Sequence, residues 1–209
     1  MNLSVIRCEV GFMPTNAYVV RDTESGDSLV VDPGFYDPAL TEALQKLGIN
    51  RLRYILLTHG HYDHILGVQQ LKDHYGGDVV IYESEAAFLK DDSLSLVKPF
   101  CNGIPMIRAA DRPVRDGDRL PFGDGEITVL HTPGHTSGSV CYLLGDLLLT
   151  GDTLFCESVG RADLPTGDDR ALLRSVRRLA ALGGDYKVLP GHMETSTLAY
   201  ERANNPYLE

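Results

Sequence analysis

The sequence is short of basic residues. Nineteen Lys and Arg stand against 29 Asp and Glu, a formal net charge of −10, and no window gathers enough cations to reverse that sign locally. Binding to nucleic acid draws most of its energy from Lys and Arg that displace counterions from phosphates, so no nucleic-acid partner is expected. Long apolar runs are missing too. Leu3-Ser4-Val5-Ile6 is interrupted by Arg7 and Glu9 before a signal-peptide core can develop, and no later run approaches the ~20 residues that span a bilayer. The expectation is a cytoplasmic chain with no membrane partner. Cysteine is sparse: Cys8, Cys101, Cys141 and Cys156 are far apart, with no Cys-x-x-Cys pair. A chain of this size needs no disulfide staples, so reduced thiols are expected. Low-complexity segments, linkers and strict repeats are also lacking, and 209 residues at 43% apolar read as one domain over residues 1–209.

What is present is an alternation of strands and helices. Leu3–Val10, Asn16–Arg21 and Ser28–Asp32 are rich in β-branched residues, with a polar turn at Glu24-Ser25-Gly26-Asp27. Asp37-Pro38 offers a cap and a first-turn proline to a helix carrying Leu40, Ala43, Leu44 and Leu47, and Gly48 sits where it should end. Arg53–Leu57 predicts a buried strand running into Thr58-His-Gly-His-Tyr-Asp-His64, after which Ile65, Val68 and Leu71 set a helical period as far as Gly76-Gly77. The second half predicts strands at Asp78–Tyr82 and Glu126–His131, a short helix at Ser84–Lys90 and an irregular stretch over Asp91–Arg115. A hairpin follows at Ser139–Leu144 and Leu147–Leu149. After it come a helix capped by Asp168 or Asp169, a strand at Tyr186–Leu189 and a helix from about Thr195. Several strands followed by helix and strand, read twice, imply two sheets packed face to face with helices outside.

The polar segments at strand ends carry the chemistry. Of the seven histidines, His59, His61 and His64 lie within one short loop with Asp63 among them. On an extended segment, residues i and i+2 point the same way, so His59 and His61 can address one metal ion while Asp63 and His64 turn toward another. Three singlets follow at the ends of apolar strands beside a glycine: His135 in Thr-Pro-Gly-His-Thr, Asp152 in Leu-Thr-Gly-Asp-Thr and His192 in Leu-Pro-Gly-His. One such histidine alone reads at least as well as a surface histidine or a capped turn. The set together fits ligands held rigidly by a sheet.

His59-x-His61-x-Asp63-His64, with His135, Asp152 and His192 in that order, resembles the metallo-β-lactamase superfamily across essentially the whole chain. The resemblance implies an α/β fold, the αββα four-layer sandwich, with a two-metal site at one edge of the paired sheets. It implies that His59, His61 and His135 hold one ion, that Asp63, His64 and His192 hold the second, and that Asp152 bridges them. Asp63 and Asp152 are then the catalytic carboxylates, acting through the ions. Two divalent ions are the implied cofactor, zinc first, with iron or manganese also accepted by such nitrogen and oxygen ligands.

Within the superfamily, Asp152 argues against antibiotic hydrolysis, since the zinc β-lactamases typically have Cys or Ser at the bridge. Gly151-Asp-Thr-Leu-Phe155 followed by Gly160-Arg-Ala-Asp-Leu-Pro165 is similar to single-domain glyoxalase II-like proteins. That likeness implies hydrolysis of S-lactoylglutathione or a related small-molecule thioester. The Gly160-Arg-x-Asp163 segment is also similar to persulfide dioxygenases, in which His59, His135 and Asp152 would hold a single iron. With 17 residues following His192, a counterpart of the helical C-terminal domain with which full-length glyoxalase II grips glutathione is not expected. Two further residues carry alternatives. Asp32 either accepts the second ring N–H of a ligand histidine or caps a turn, and Arg161 either binds a substrate carboxylate or stands as an exposed or ion-paired cation. His74 and His131 lie outside the motif and read as structural, and Cys156 as a small hydrophobe.

Overall fold

The computed structural model describes residues 1–97 and 110–208, so Cys101 and the prolines at 99 and 105 of the stretch read as irregular lie outside the described residues. Six strands form a first sheet in sequence order: β1 (Leu3–Val10), β2 (Thr15–Asp22), β3 (Ser28–Val31), β4 (Tyr54–Leu56), β5 (Asp78–Tyr82) and β6 (Arg112–Val114). The first three pair antiparallel and β3 to β6 run parallel. The second sheet is built from β7 (Arg119–Phe122), β8 (Gly125–His131), β9 (Val140–Leu144), β10 (Leu147–Gly151), β13 (Lys187–Pro190) and β14 (Ser196–Thr197), in the order β14-β13-β10-β9-β8-β7. A small hairpin, β11 (Leu154–Phe155) with β12 (Ser158–Val159), stands apart from both.

Strand alternation explains the layering. Tyr18, Val20, Leu29, Val31, Tyr54 and Leu56 of the first sheet share a core with Ile127, Val129, Val140, Tyr142, Leu147 and Leu149 of the second. Most of the residues between them point outward and are also apolar. Val19, Val30 and Ile55 pack under α1 (Pro38–Lys46) and α3 (Val68–Tyr75), while Cys141, Leu148 and Val188 pack under α4 (Asp169–Ala180) and α5 (Leu198–Asn204). A strand covered on both faces needs a continuous apolar run rather than alternation with polar residues, and the result is the αββα sandwich. Among the described residues, no helix is long and apolar enough to cross a membrane.

Several boundaries differ from the sequence reading. A four-residue helix, α2 (Tyr62–Ile65), begins inside the histidine motif rather than at Ile65, and Gly67 separates it from α3. The short helix at Ser84–Lys90 is two 3-10 turns, Glu83–Glu85 and Phe88–Lys90. Arg112–Val114, inside the stretch read as irregular, is a strand, and Pro113 fits there because β6 is an edge. Residues 196 and 197 pair with β13 before the last helix starts at Leu198, with the Thr197 side chain capping it.

Candidate metal centre

Every candidate ligand lies just beyond the end of a strand, on one edge of the sandwich. His59 and His61 follow β4, and Asp63 and His64 occupy the first turn of α2. From the second sheet, His135 follows β8, Asp152 follows β10 directly and His192 follows β13. Cross-sheet hydrogen bonds fix this edge: Val140 N donates to Thr58 O at 2.9 Å and Asn16 N to Gly191 O at 2.7 Å.

The structure brings the ligands together in overlapping sets. The donor atoms of His59, His61 and His135 lie within 4.8 Å of one another, and so do those of Asp63, His64 and His192. His61 Nδ1 faces His135 Nε2 at 2.9 Å, close to the roughly 3.3 Å that two nitrogens take up on a tetrahedral ion with bonds near 2.0 Å. Asp152 lies between the sets, with Oδ2 at 3.6 Å from both His135 Nε2 and His192 Nε2 and Oδ1 at 3.5 Å from His64 Nε2. His192 Nε2 is 3.2 Å from Asp63 Oδ2.

These side chains fit a metal. His59 Nε2, His64 Nε2 and Asp152 Oδ1 are buried without a hydrogen-bond partner, and a cluster of buried polar atoms left so calls for a partner such as an ion. Space is reserved as well. A Cβ on Gly191 would stand 2.3 Å from Asp152 Oδ1 and 2.8 Å from His64 Cε1, so only glycine lets the backbone pass behind the ligands.

Charge divides the site. Burial and the neighbouring His64 hold the pKa of His59 well below its ordinary value, and burial with His135 takes His61 down to about 3. Both rings are neutral at pH 7, with lone pairs free to ligate. Burial also opposes a charge on His64 and His192. For His64, Asp63, Asp152 and Asp32 outweigh it and raise the pKa to about 10; for His192, the hydrogen bond to Asp63 and the Asp152 charge raise it. The Asp63 carboxyl, despite burial, is held well below the carboxylate range by His64 and His192.

Outer partners fix the rings. Asp32 Oδ2 lies 3.0 Å from His64 Nδ1 and accepts the Thr58 hydroxyl at 2.7 Å, while Asp32 Oδ1 accepts Thr58 N at 2.8 Å. His135 Nδ1 lies 2.7 Å from the Arg161 carbonyl, and His192 Nδ1 lies 2.9 Å from the Pro14 carbonyl. Donation from Nδ1 aims each Nε2 inward, where it can ligate once it carries no proton. The sequence reading missed Thr58, the two carbonyls and Glu85. The last is fully buried and accepts Gly60 N at 2.7 Å through Oε2 and Gly138 N at 3.0 Å through Oε1. A lone glutamate carries no spacing signal.

Arg161 lines the cavity beside the candidate ligands, and the other residues singled out lie away from it. The Arg161 guanidinium is exposed and bound at two points by Asp163, at 2.7 and 2.8 Å. His131 stacks on Tyr82 with ring centres 4.2 Å apart, and His74 on Tyr36 at 5.1 Å. Cys8, Cys141 and Cys156 are free, and burial raises the pKa of all three thiols.

A family model described as the metallo-beta-lactamase superfamily matches residues 10–192. An uncharacterised protein of Mycobacterium leprae is 39% identical over 95% of this chain and 95% of its own. A Haemophilus influenzae protein named hydroxyacylglutathione hydrolase GloC is 32% identical over 100% of this chain and 98% of its own. Among solved structures, one described as the B3 metallo-beta-lactamase BLEG-1 superposes with a TM-score of 0.90 at 32% identity, covering 98% of this chain and 99% of that one. TTHA1623 in a di-iron-bound form superposes with a TM-score of 0.85 at 34% identity, covering 98% and 100%.

Proposed function

The chain belongs to the metallo-beta-lactamase superfamily, and on that footing we propose that it is a two-metal hydrolase of acyl thioesters, of the glyoxalase II kind. The observation that carries the two-metal reading is the position of Asp152, whose carboxylate lies within 3.6 Å of His135 on one side and of His64 and His192 on the other. His59, His61 and His135 would hold the first ion, and Asp63, His64 and His192 the second. The similarity to GloC supports a hydroxyacyl thioester, S-lactoylglutathione or a relative, as substrate. The di-iron form of TTHA1623 supports iron beside zinc or manganese as the metal.

Divalent ions held there supply Lewis acidity toward a carbonyl and lower the pKa of water from 15.7 to roughly 7. The chain's own residues do the rest. Asp32, the Arg161 carbonyl and the Pro14 carbonyl hold three ligand rings in one tautomer, so the site does not reorganise as charge develops. In the reaction, a water oxygen bonds to the acyl carbon and the C–S bond breaks. The sulfur leaves with the electron pair and takes up one proton of the water, while the other is released to solvent, giving a thiol and a carboxylate. A thiol with a pKa of about 8.5 departs without a strong acid, which suits a cavity whose carboxylates are committed as ligands.

A second reading, favoured by the Gly160-Arg-Ala-Asp163 segment, is an iron persulfide dioxygenase using His59, His135 and Asp152. The test is metal content together with turnover. Two ions per chain and release of thiol from S-lactoylglutathione support the hydrolase. A single iron with oxygen uptake on glutathione persulfide replaces it. The likeness to BLEG-1 makes a β-lactam the control substrate.

A further inference from the structure

A cavity of about 550 Å³ opens beside the candidate ligands His61, Asp63, His135, Asp152 and His192. Its walls are more apolar than the ligands require, being formed in large part by Phe12, Met13, Leu96, Phe155, Leu164 and Met193. Among the described residues, six large apolar side chains are exposed, and Phe12, Met13 and Met193, at 58, 48 and 54%, are three of them. They come from opposite ends of the chain, Phe12 and Met13 from the β1–β2 turn and Met193 from the loop after β13. Neither side of this wall hangs loose. The Phe12 ring meets Phe35 edge-on at 5.4 Å and stacks over Tyr62 at 6.0 Å. Met193 is held at a φ of +68°, in the left-handed region that L side chains rarely adopt, while its carbonyl accepts Asn16 Nδ2 at 2.9 Å. Apolar surface ordered in this way against water gains once a ligand covers it.

Charge points the same way. Arg161 is the one Lys or Arg lining the cavity among the described residues, and Asp163 already holds its Nε and one Nη. The described lining offers a substrate carboxylate no Lys or Arg that is free of a carboxylate partner. Biological thiol carriers bear their charges on the thiol half, so the half that an apolar wall can enclose is the acyl group.

We propose that this cavity is an acyl subsite, selecting thioesters whose acyl arm is an uncharged hydrocarbon chain of medium length, with Phe12 and Met193 as specificity-determining residues. The proposal rests on the thioester reading for its reaction but not for its binding. The test therefore has two arms on the metal-loaded protein.

In the first, straight-chain alkanoyl hydroxamates from acetyl to octanoyl, which carry a metal-binding head, are titrated by calorimetry. The dissociation constant falls roughly fourfold per added methylene, and Phe12→Ser and Met193→Ser, on separate segments, each flatten that slope. In the second, the matching acyl thioesters of the small neutral thiol N-acetylcysteamine are compared with S-lactoylglutathione, and kcat/KM rises along the same series. A hydroxamate affinity independent of chain length overturns the subsite, as does a preference for S-lactoylglutathione over the octanoyl ester by orders of magnitude. A steep hydroxamate slope with no thioester hydrolysed leaves the subsite standing and removes the proposed reaction instead.

Discussion

The Asp32 carboxylate lies 3.0 Å from His64 Nδ1, and through the Thr58 hydroxyl, itself 3.1 Å from His59 Nδ1, it also reaches His59. One buried carboxylate thus orients a ligand ring in each of the two sets. Asp32 sits at a φ of +48°, a conformation that Asn tolerates well. Asp32→Asn therefore keeps the turn while replacing one acceptor oxygen by an amide donor that faces donors. Its affinity for metal falls roughly 10- to 100-fold, measured by competition with a chromogenic chelator, and Asp32→Ala falls at least as far. Equal metal affinity in Asp32→Asn and wild type would leave Asp32 a turn cap only.

Asp152 is the one candidate ligand whose oxygens approach histidines of both sets. Asp152→Ala loses one ion per chain, and kcat/KM drops by about three orders of magnitude, because several kcal/mol of charge stabilisation depend on the pair of ions. His131→Ala removes a stack on Tyr82 and a contact with the Ser137 carbonyl at 3.0 Å, and its kcat/KM stays within about threefold. Elemental analysis and thioester kinetics on both variants check this. Equal losses would move the Thr-Pro-Gly-His ligand from His135 to His131.

Four histidines of the site contribute to the pH dependence of the metal-free protein around neutrality. His64 is raised to about 10 and His192 is raised as well, so between pH 6.5 and 10 the folded state keeps protons that the unfolded chain has lost. Stability falls as pH rises through that window. His59 is lowered well below 6.5 and His61 to about 3, so below pH 6.5 the unfolded chain binds protons that the folded state refuses, and stability falls as pH drops. From these four groups, thermal unfolding of chelator-treated protein is expected to peak near pH 6.5. Metal loading, which displaces the protons of His64 and His192, removes the alkaline decline and releases protons on titration. A flat profile from pH 6.5 to 9 in chelator-treated protein contradicts the charge assignment.

The candidate ligand set is legible in the sequence because each member is a chemically distinctive side chain near the end of an apolar strand. The four layers are legible because strands such as Leu29–Val31 and Leu147–Leu149 are apolar at every position, which requires cover on both faces. Less legible are the edges, where β6 and β7 are short and contain Pro113 and Pro121. The start of α2 at Tyr62 also escapes, since helical spacing cannot emerge from four residues dominated by ligands. The partners of His135 and His192 are backbone carbonyls, and a carbonyl has no letter in a sequence. The tie between Arg161 and Asp163 joins residues two apart in a loop, a pairing that composition does not fix.

Glu85 gives the last prediction, since it joins the two ligand loops although it touches no ligand side chain. Its Oε2 accepts the N–H of Gly60, the residue between His59 and His61, and its Oε1 accepts the N–H of Gly138, three residues beyond His135. Burial raises its pKa, opposed by hydrogen bonds from Thr136, Gly138 and Gly60. Both glycines are needed for the approach, because a Cβ on Gly138 would lie 2.5 Å from Glu85 Cγ and one on Gly60 would lie 2.5 Å from Phe88 Cβ. Glu85→Gln keeps the shape but turns an amide NH2 toward one of the two backbone donors, leaving it unpaired at a cost of about 1–3 kcal/mol. Glu85→Ala strands both donors and destabilises further. Because the loops so joined carry His59, His61 and His135, the ion held by these three is the one that weakens, while the ion at Asp63, His64 and His192 is retained. Denaturant unfolding together with two-phase metal titration of Glu85→Gln reads both effects. Loss of stability with both metal affinities intact would show that Glu85 is a packing residue and does not position the site.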